Sequence, residues 1–201
     1  MQPVRLSVLG AVAALAASPA AIADTVATFA DPSPGGFAPL FSLTGNTLSG
    51  GWSGTGLTLE TPGLPSVGDF ADATFQMTPL TVSQILGVFY VTSPGTIRFF
   101  DSSASLLLQI DFTQGVLSLP LSFGGSDMFI GQDVVFSGPI LDGYEVTLEQ
   151  FSFSFANPVN TQQGFTATSS FTSSAELRIP GPATLAALGM GLLVTGRRRR
   201  S

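Results

Sequence analysis

The sequence predicts an all-β protein, an antiparallel β-sandwich or jelly roll, from three observations. Between Asp24 and Ile179, apolar and small polar residues alternate with a period of two over many short segments. Turn-forming pairs that contain glycine, proline, asparagine or aspartate separate these segments. The same region contains no long amphipathic stretch with the 3.6-residue period of a helix. Many short strands at close spacing favour two packed antiparallel layers.

The individual strands follow from this alternation. In chain order, strands are predicted over residues 55–61, 73–77, 85–92, 96–101, 106–113, 117–123, 133–137, 151–156 and 165–171. Predicted turns include Gln114-Gly115, Gly138-Pro139 and Asn157-Pro158. Pro120 within a strand pattern indicates an edge strand or a bulge. Residues 44–56 are rich in glycine, serine and threonine, and they predict either a loop or an open hairpin. The 17 phenylalanines are interpreted as core.

The composition excludes several kinds of active site. The chain of 201 residues has no cysteine and no histidine, and its seven basic residues are all arginines. It therefore lacks the usual zinc ligands, a histidine-based triad, a cysteine nucleophile, and a lysine for a Schiff base or a phosphate-binding loop. Without disulfides, the fold outside a cell depends on its core alone.

The first 23 residues have the pattern of a secretory signal peptide. Arg5 supplies the positive charge, residues 6–17 are an apolar stretch, and Ala21-Ile22-Ala23 is a small-x-small cleavage site. We therefore predict export by the Sec machinery and a mature chain that starts at Asp24. The alternative is a retained anchor helix, although the apolar run is shorter than a membrane span needs.

The last 22 residues have three parts. Pro180, Gly181, Pro182 and Ala183 open the segment, residues 183–196 carry no charge, and Arg197, Arg198, Arg199 and Arg200 follow. As a helix, residues 183–196 would be roughly 21 Å long. This is shorter than the hydrocarbon core of a bilayer, which is about 30 Å thick. The difference can be accommodated by thinning of the bilayer or by snorkelling of the arginines. The arginine cluster should stay cytoplasmic. We therefore predict a short C-terminal transmembrane helix with the domain outside.

This tail resembles a PEP-CTERM sorting signal, which covers residues 180–201 and does not extend into the domain. In that family of exported bacterial proteins, a Pro-Glu-Pro motif precedes a short membrane helix and a basic cluster. An inner-membrane transpeptidase called exosortase processes the tail. The resemblance implies exosortase as a partner, transient inner-membrane insertion, and delivery to the cell surface or to an exopolysaccharide matrix. This chain has Gly181 where the family motif has glutamate.

Residues 24–179 form one domain of ordinary size that is strongly acidic. All 13 acidic residues of the chain lie here with only Arg98 and Arg178, so that the net charge is −11. A nucleic-acid partner is not expected, because phosphate binding needs a basic face. Anionic membrane surfaces are disfavoured for the same reason. Divalent cations are compatible with this charge.

Carboxylates are the candidate chemical groups of the domain. Asp69, Asp72, Asp127 and Asp133 lie on loops that can supply oxygen ligands to calcium. The alternative is turn chemistry, since aspartate often bonds to its own backbone in turns. Asp142, Glu145 and Glu149 form a further acidic group, and a glycosidase would need two such carboxylates across a cleft.

The sequence leaves three functions open. Our first expectation is an exported protein that is not an enzyme, has no cofactor, and serves a structural or adhesive role in an exopolysaccharide matrix. The second is a carbohydrate-binding module or carbohydrate-active enzyme, in which Trp52 in its Gly/Ser-rich segment would stack on a sugar ring. The third is an envelope protein that keeps its tail as an ordinary membrane anchor. Tyr90 and Tyr144 are weaker stacking candidates than Trp52.

Overall fold

An antiparallel β-sheet dominates the computed structural model, which describes residues 23–118 and 128–179. Ala21 and most of the signal peptide, Asp127, and the whole tail from residue 180 onward lie outside the described residues. The strands are β1 (Asp24–Phe29), β2 (Phe41–Thr44), β3 (Thr47–Trp52), β4 (Thr74–Met77), β5 (Leu80–Leu86), β6 (Phe89–Thr92), β7 (Gly95–Phe100), β8 (Leu106–Phe112), β9 (Gln114–Ser118), β10 (Met128–Gln132), β11 (Val135–Ser137), β12 (Glu145–Thr161) and β13 (Gly164–Arg178). Two short 3₁₀ helices, Pro34–Gly36 and Pro139–Leu141, complete the elements of the described ranges.

Eight of these strands pair in a closed ring. Their order is β2-β3-β5-β6-β9-β10-β12-β13, and β13 returns to β2. The ring closes at β2, which pairs with β3 on one side and with the start of β13 on the other. The predicted all-β antiparallel class is confirmed. The closure makes the sheet barrel-like, which differs from the predicted sandwich or jelly roll, because alternation reports which face is buried and not which strands are neighbours.

A second run of strands packs across this ring and encloses the core. It continues from the end of β3 in the order β4-β7-β8-β11. Its two central phenylalanines contact three phenylalanines of β1, β12 and β13 with ring centroids 4.9–6.3 Å apart. The five rings are those of Phe29, Phe75, Phe99, Phe153 and Phe171, and all are buried. This cluster is the centre of the core, since aromatic rings bury large apolar areas.

Among residues 23–118 and 128–179, the assignment of every phenylalanine to the core is wrong at two positions. The side chain of Phe37 is 90% exposed and that of Phe89 is 54% exposed. Phe37 follows the first 3₁₀ helix, and Phe89 begins β6 directly after a turn. Phe37 lies outside the predicted strands, whereas Phe89 lies within the predicted strand 85–92 and is exposed because the chain reverses there.

The hairpin of β12 and β13 runs the length of the sheet. β13 pairs with β2 near its start and with β1 near its end. Two register shifts bend β12, one between residues 147 and 150 and one between residues 156 and 159. The predicted turn at Asn157-Pro158 is therefore wrong, because this pair forms the second bulge, in which Asn157 has a φ of 48°. Bulges and turns both use residues that tolerate positive φ.

Three further predictions differ from the structure. Residues 85–92 are not one strand, because the chain reverses at Gly87 and Val88 between β5 and β6. Gly115 is not in a turn but within β9, where the Phe129 ring lies against its backbone. Residues 55–61 form only isolated bridges, with Leu57 and Leu59 buried. Residues 106–112 and 151–156 lie in strands as predicted.

Candidate functional site

An open groove of about 780 Å³ lies where β10 and β12 separate. We call it the β10–β12 groove. Within the described residues, the two strands pair from Met128 to Ile130, opposite Ser154 to Ser152. Beyond that point β12 bulges at Leu148, which has a φ of 56° and a side chain that is 68% exposed. Such a bulge ends strand pairing locally and redirects neighbouring side chains.

The lining of the groove combines an apolar floor with polar walls. Phe151 is buried beneath it, and Gly131 crosses the Phe151 ring so closely that a Cβ at this position would collide with the ring. Ile130 adds a half-exposed apolar side chain. The polar walls are supplied by Gln132, Asp133, Glu149, Gln150, Thr172 and Ser174. With Ser152, which also lines the groove, two carboxylates, two amides and three hydroxyls can hydrogen-bond a ligand that carries several hydroxyl groups.

The groove brings together two acids that belong to different groups in the sequence. In the sequence, Asp133 is a neighbour of Asp127, and Glu149 is a neighbour of Asp142 and Glu145. Asp133 has a φ of 47°, and its Oδ2 accepts a hydrogen bond of 2.8 Å from the Thr113 hydroxyl. The sequence offers no signal that both acids line one groove, because this depends on the register of β10 and β12.

Asp69 and Asp72 hold the segment between β3 and β4. Oδ1 of Asp69 accepts a hydrogen bond of 3.0 Å from the Thr61 amide, and Oδ1 of Asp72 accepts one of 2.7 Å from the Gly56 amide. These bonds join residues 8 and 16 positions apart, so they tie the loop together across its length and are not the local turns of the alternative interpretation. Among residues 23–118 and 128–179, no group of three or more acidic side chains is arranged to hold a metal ion. The calcium site stays a prediction.

Trp52 is the last residue of β3 and lies opposite Phe75 of β4. Its ring is half-buried against the core, and a Cβ at Gly54 would lie 3.0 Å from the ring. Its Nε1 is buried and has no hydrogen-bond partner among the described residues. This arrangement favours packing at the end of a sheet, and stacking of Trp52 on a sugar stays a prediction. Tyr90 is also half-buried against the core.

The turn between β5 and β6 exposes four apolar side chains that sequence reasoning did not single out. We call them the turn patch: Ile85, Leu86, Val88 and Phe89 are 63%, 75%, 45% and 54% exposed. Gly87, with a φ of 57°, makes the turn between them. The signal in the sequence was this glycine within an otherwise continuous apolar run, since an isolated glycine in a strand pattern often marks a break.

The turn patch and the exit of the chain lie at opposite ends of the sheet. One row of paired residues crosses the strands, and it consists of Phe29, Phe171, Phe153, Phe129, Leu117 and Tyr90. Ile179 lies eight residues beyond Phe171 along β13, roughly 26 Å of extended strand. The reversal at Gly87 lies on the other side of the same row.

No family model matches the chain, and no curated protein and no solved structure matches it either. Within residues 23–118 and 128–179, the structure contains no helix of the length and apolar character that a membrane span requires.

Proposed function

We propose that the chain is an exported protein of the cell surface or extracellular matrix with a structural or adhesive role. In this proposal the signal peptide directs export, and residues 180–201 hold the chain in the inner membrane until an exosortase-type enzyme processes them. The observation that carries the adhesive role is the placement of the turn patch. It lies at the end of the sheet opposite Ile179, so that an anchored or sorted chain presents it away from its tail.

The chemistry of the turn patch suits contact with another surface. Four exposed apolar side chains on a single hairpin are more than the scattered single residues of an ordinary soluble surface. No residue from Ala73 to Ile97 carries a charge, so that contact there removes no charged group of these strands from water. A matrix of exopolysaccharide and protein offers such surfaces outside the cell.

The export and sorting steps are tested by intact-mass spectrometry on the native protein after cell fractionation. We expect a mature species in the outer fraction that begins at Asp24 and ends near Pro180. A species in the inner membrane that still carries Arg197 to Arg200 would contradict sorting and make the tail an ordinary anchor.

The adhesive step is tested by replacing Leu86 and Phe89 with serine in the cells that produce the native protein. We expect export to continue and retention in the matrix to fall several-fold, measured by quantifying the protein in washed matrix. Phe37→Ser is the matched control, because Phe37 is 90% exposed and lies outside the turn patch. Equal retention of the three proteins would contradict a role for the turn patch.

The β10–β12 groove supports a second candidate function, carbohydrate binding. Its two amides and two carboxylates lie above an apolar floor, which is the combination that orients a sugar. A glycan array probed with the full chain tests it. Binding that is lost in Glu149→Gln and kept in Trp52→Ala would place the sugar in the groove. The reverse pattern would place it at Trp52, and no binding on the array would contradict both.

A further inference from the structure

A second groove of about 360 Å³ lies where the chain leaves the domain. We call it the tail-exit groove. Apolar side chains from three parts of the chain line it, namely Pro62, Pro65, Tyr144, Leu177 and Ile179, and Asp24 and Gly63 complete the lining. Pro62 and Pro65 are exposed, and Ile179 is 73% exposed. The groove is therefore a surface with several apolar side chains that the described residues leave uncovered.

The walls of the groove are held in place by the rest of the domain. Tyr144 and Leu177 both pack against the core. The Tyr144 hydroxyl and the Ser66 hydroxyl are 3.1 Å apart and share a hydrogen bond. The Gly63 amide donates a hydrogen bond of 2.8 Å to the carbonyl of Thr25 in β1. A groove that is formed before binding loses little conformational entropy when it is filled.

The chain itself supplies a segment at this position. β13 ends at Arg178, which pairs with Glu145, so that the next residue, Ile179, enters the groove beside Tyr144. Pro180 is joined to Ile179 by a peptide bond. A segment attached at the edge of its own site has a very high effective concentration there, and even a weak contact is then occupied.

The chemistry of the next residues matches the groove. Pro180 and Pro182 have a fixed φ, and a proline favours an extended conformation in the residue before it. Proline-rich segments of this kind bind grooves lined by aromatic and apolar side chains, since they are already extended and lose little entropy. They also have no amide N–H at the prolines to be removed from water.

We infer that residues Pro180 to Pro182 bind in the tail-exit groove of their own domain, against Tyr144 and Pro65. The domain then covers the start of the tail instead of leaving it as a free linker. A further consequence rests on the proposed function: a processing enzyme that acts near Gly181 meets this segment only after it leaves the groove.

The absence of cysteine from the chain permits a direct test. We would introduce Pro65→Cys and Gly181→Cys together in the full chain, purified in detergent with its tail confirmed by mass. A disulfide needs Cα atoms within about 7 Å. We therefore expect rapid formation of an intramolecular disulfide under mild oxidation. The control pair is Gly87→Cys with Gly181→Cys, which joins the tail to the opposite end of the sheet and should remain reduced.

Two further variants identify the occupant. Tyr144→Ala, added to the first pair, should slow disulfide formation several-fold by removing the aromatic wall. Asp24 also lines the groove, so that the segment before it is a competing occupant. Pairing Pro65→Cys with Ala21→Cys in the precursor tests that segment. Faster oxidation of that pair, a disulfide-linked dimer, or equal rates for the test and control pairs would each overturn the inference. The sorting proposal is judged separately by the intact mass of the native protein.

Discussion

The two ends of the sheet both expose apolar side chains, but these side chains stand at different places along the chain. At the tail-exit groove, Ile179 leads directly into Pro180, so that the apolar surface has a covalently attached segment to cover it. At the turn patch, the chain reverses between Leu86 and Phe89 and returns into the sheet. The position of an exposed apolar surface relative to the chain therefore indicates the kind of contact it makes. We assign an intramolecular contact to the first end and an intermolecular contact to the second.

This comparison requires a rigid sheet between the two ends, and Phe153 is the residue that tests it most strongly. Its ring lies 4.8–6.4 Å from six other phenylalanine rings, measured between centroids. Phe153→Ala should lower the free energy of unfolding by about 3–5 kcal/mol, because it leaves a cavity at the centre of the core. Chemical denaturation measures this change.

The matched control for Phe153→Ala is Phe37→Ala, which removes the same ring from a position that is 90% exposed. It should change the free energy of unfolding by no more than about 0.5 kcal/mol. A similar loss in both variants would show that the phenylalanine cluster does not hold the two ends together.

Two glycines sharpen the comparison, because Gly131 lies against a buried ring of the sheet, whereas Gly87 lies in the open turn of the turn patch. At Gly131 a Cβ would collide with the Phe151 ring, whereas at Gly87 it would meet no atom within 4 Å. Gly131→Ala should cost about 1–3 kcal/mol through overpacking. Gly87→Ala should cost about 1–2 kcal/mol through its φ of 57° alone. Both values come from chemical denaturation.

Asparagine at the same positions separates the two causes. Asparagine tolerates positive φ, so that Gly87→Asn should recover part of the stability that Gly87→Ala loses. Gly131→Asn should be worse than Gly131→Ala, because it adds atoms beside the Phe151 ring. Recovery of stability in Gly131→Asn, or no recovery in Gly87→Asn, would contradict our interpretation that Gly131 is closely packed and Gly87 is open.

The sequence predicted the strands better than their arrangement, for a physical reason. Apolar and polar side chains alternate over residues 106–112 because β8 has one buried face. This pattern is local and is therefore visible in the sequence itself. The closure of the ring depends on Leu43 of β2 pairing with Phe165 of β13, more than a hundred residues later. No local pattern specifies that neighbour. That Asp133 and Glu149 line the same β10–β12 groove depends on strand pairing in the same way.

The wrong turn predictions have a second cause. Asn157-Pro158 and Gln114-Gly115 contain residues typical of turns, yet one forms a bulge and the other lies under an aromatic ring. Glycine, asparagine and proline report an unusual backbone or a close approach, and a turn is only one of the structures that require them. At Gly87 the same kind of signal did mark a reversal of the chain.

The smallest expected effect concerns the wall of the tail-exit groove. Tyr144→Phe removes the hydrogen bond to Ser66 but keeps the ring that faces the groove. Because this bond is exposed to solvent, it should contribute only about 0.5 kcal/mol to the free energy of unfolding. A double-mutant cycle with Ser66→Ala measures the coupling. The disulfide between positions 65 and 181 should still form in Tyr144→Phe and slow only in Tyr144→Ala. If the hydroxyl mattered as much as the ring, binding of the tail would depend on that hydrogen bond and not on apolar contact with the prolines.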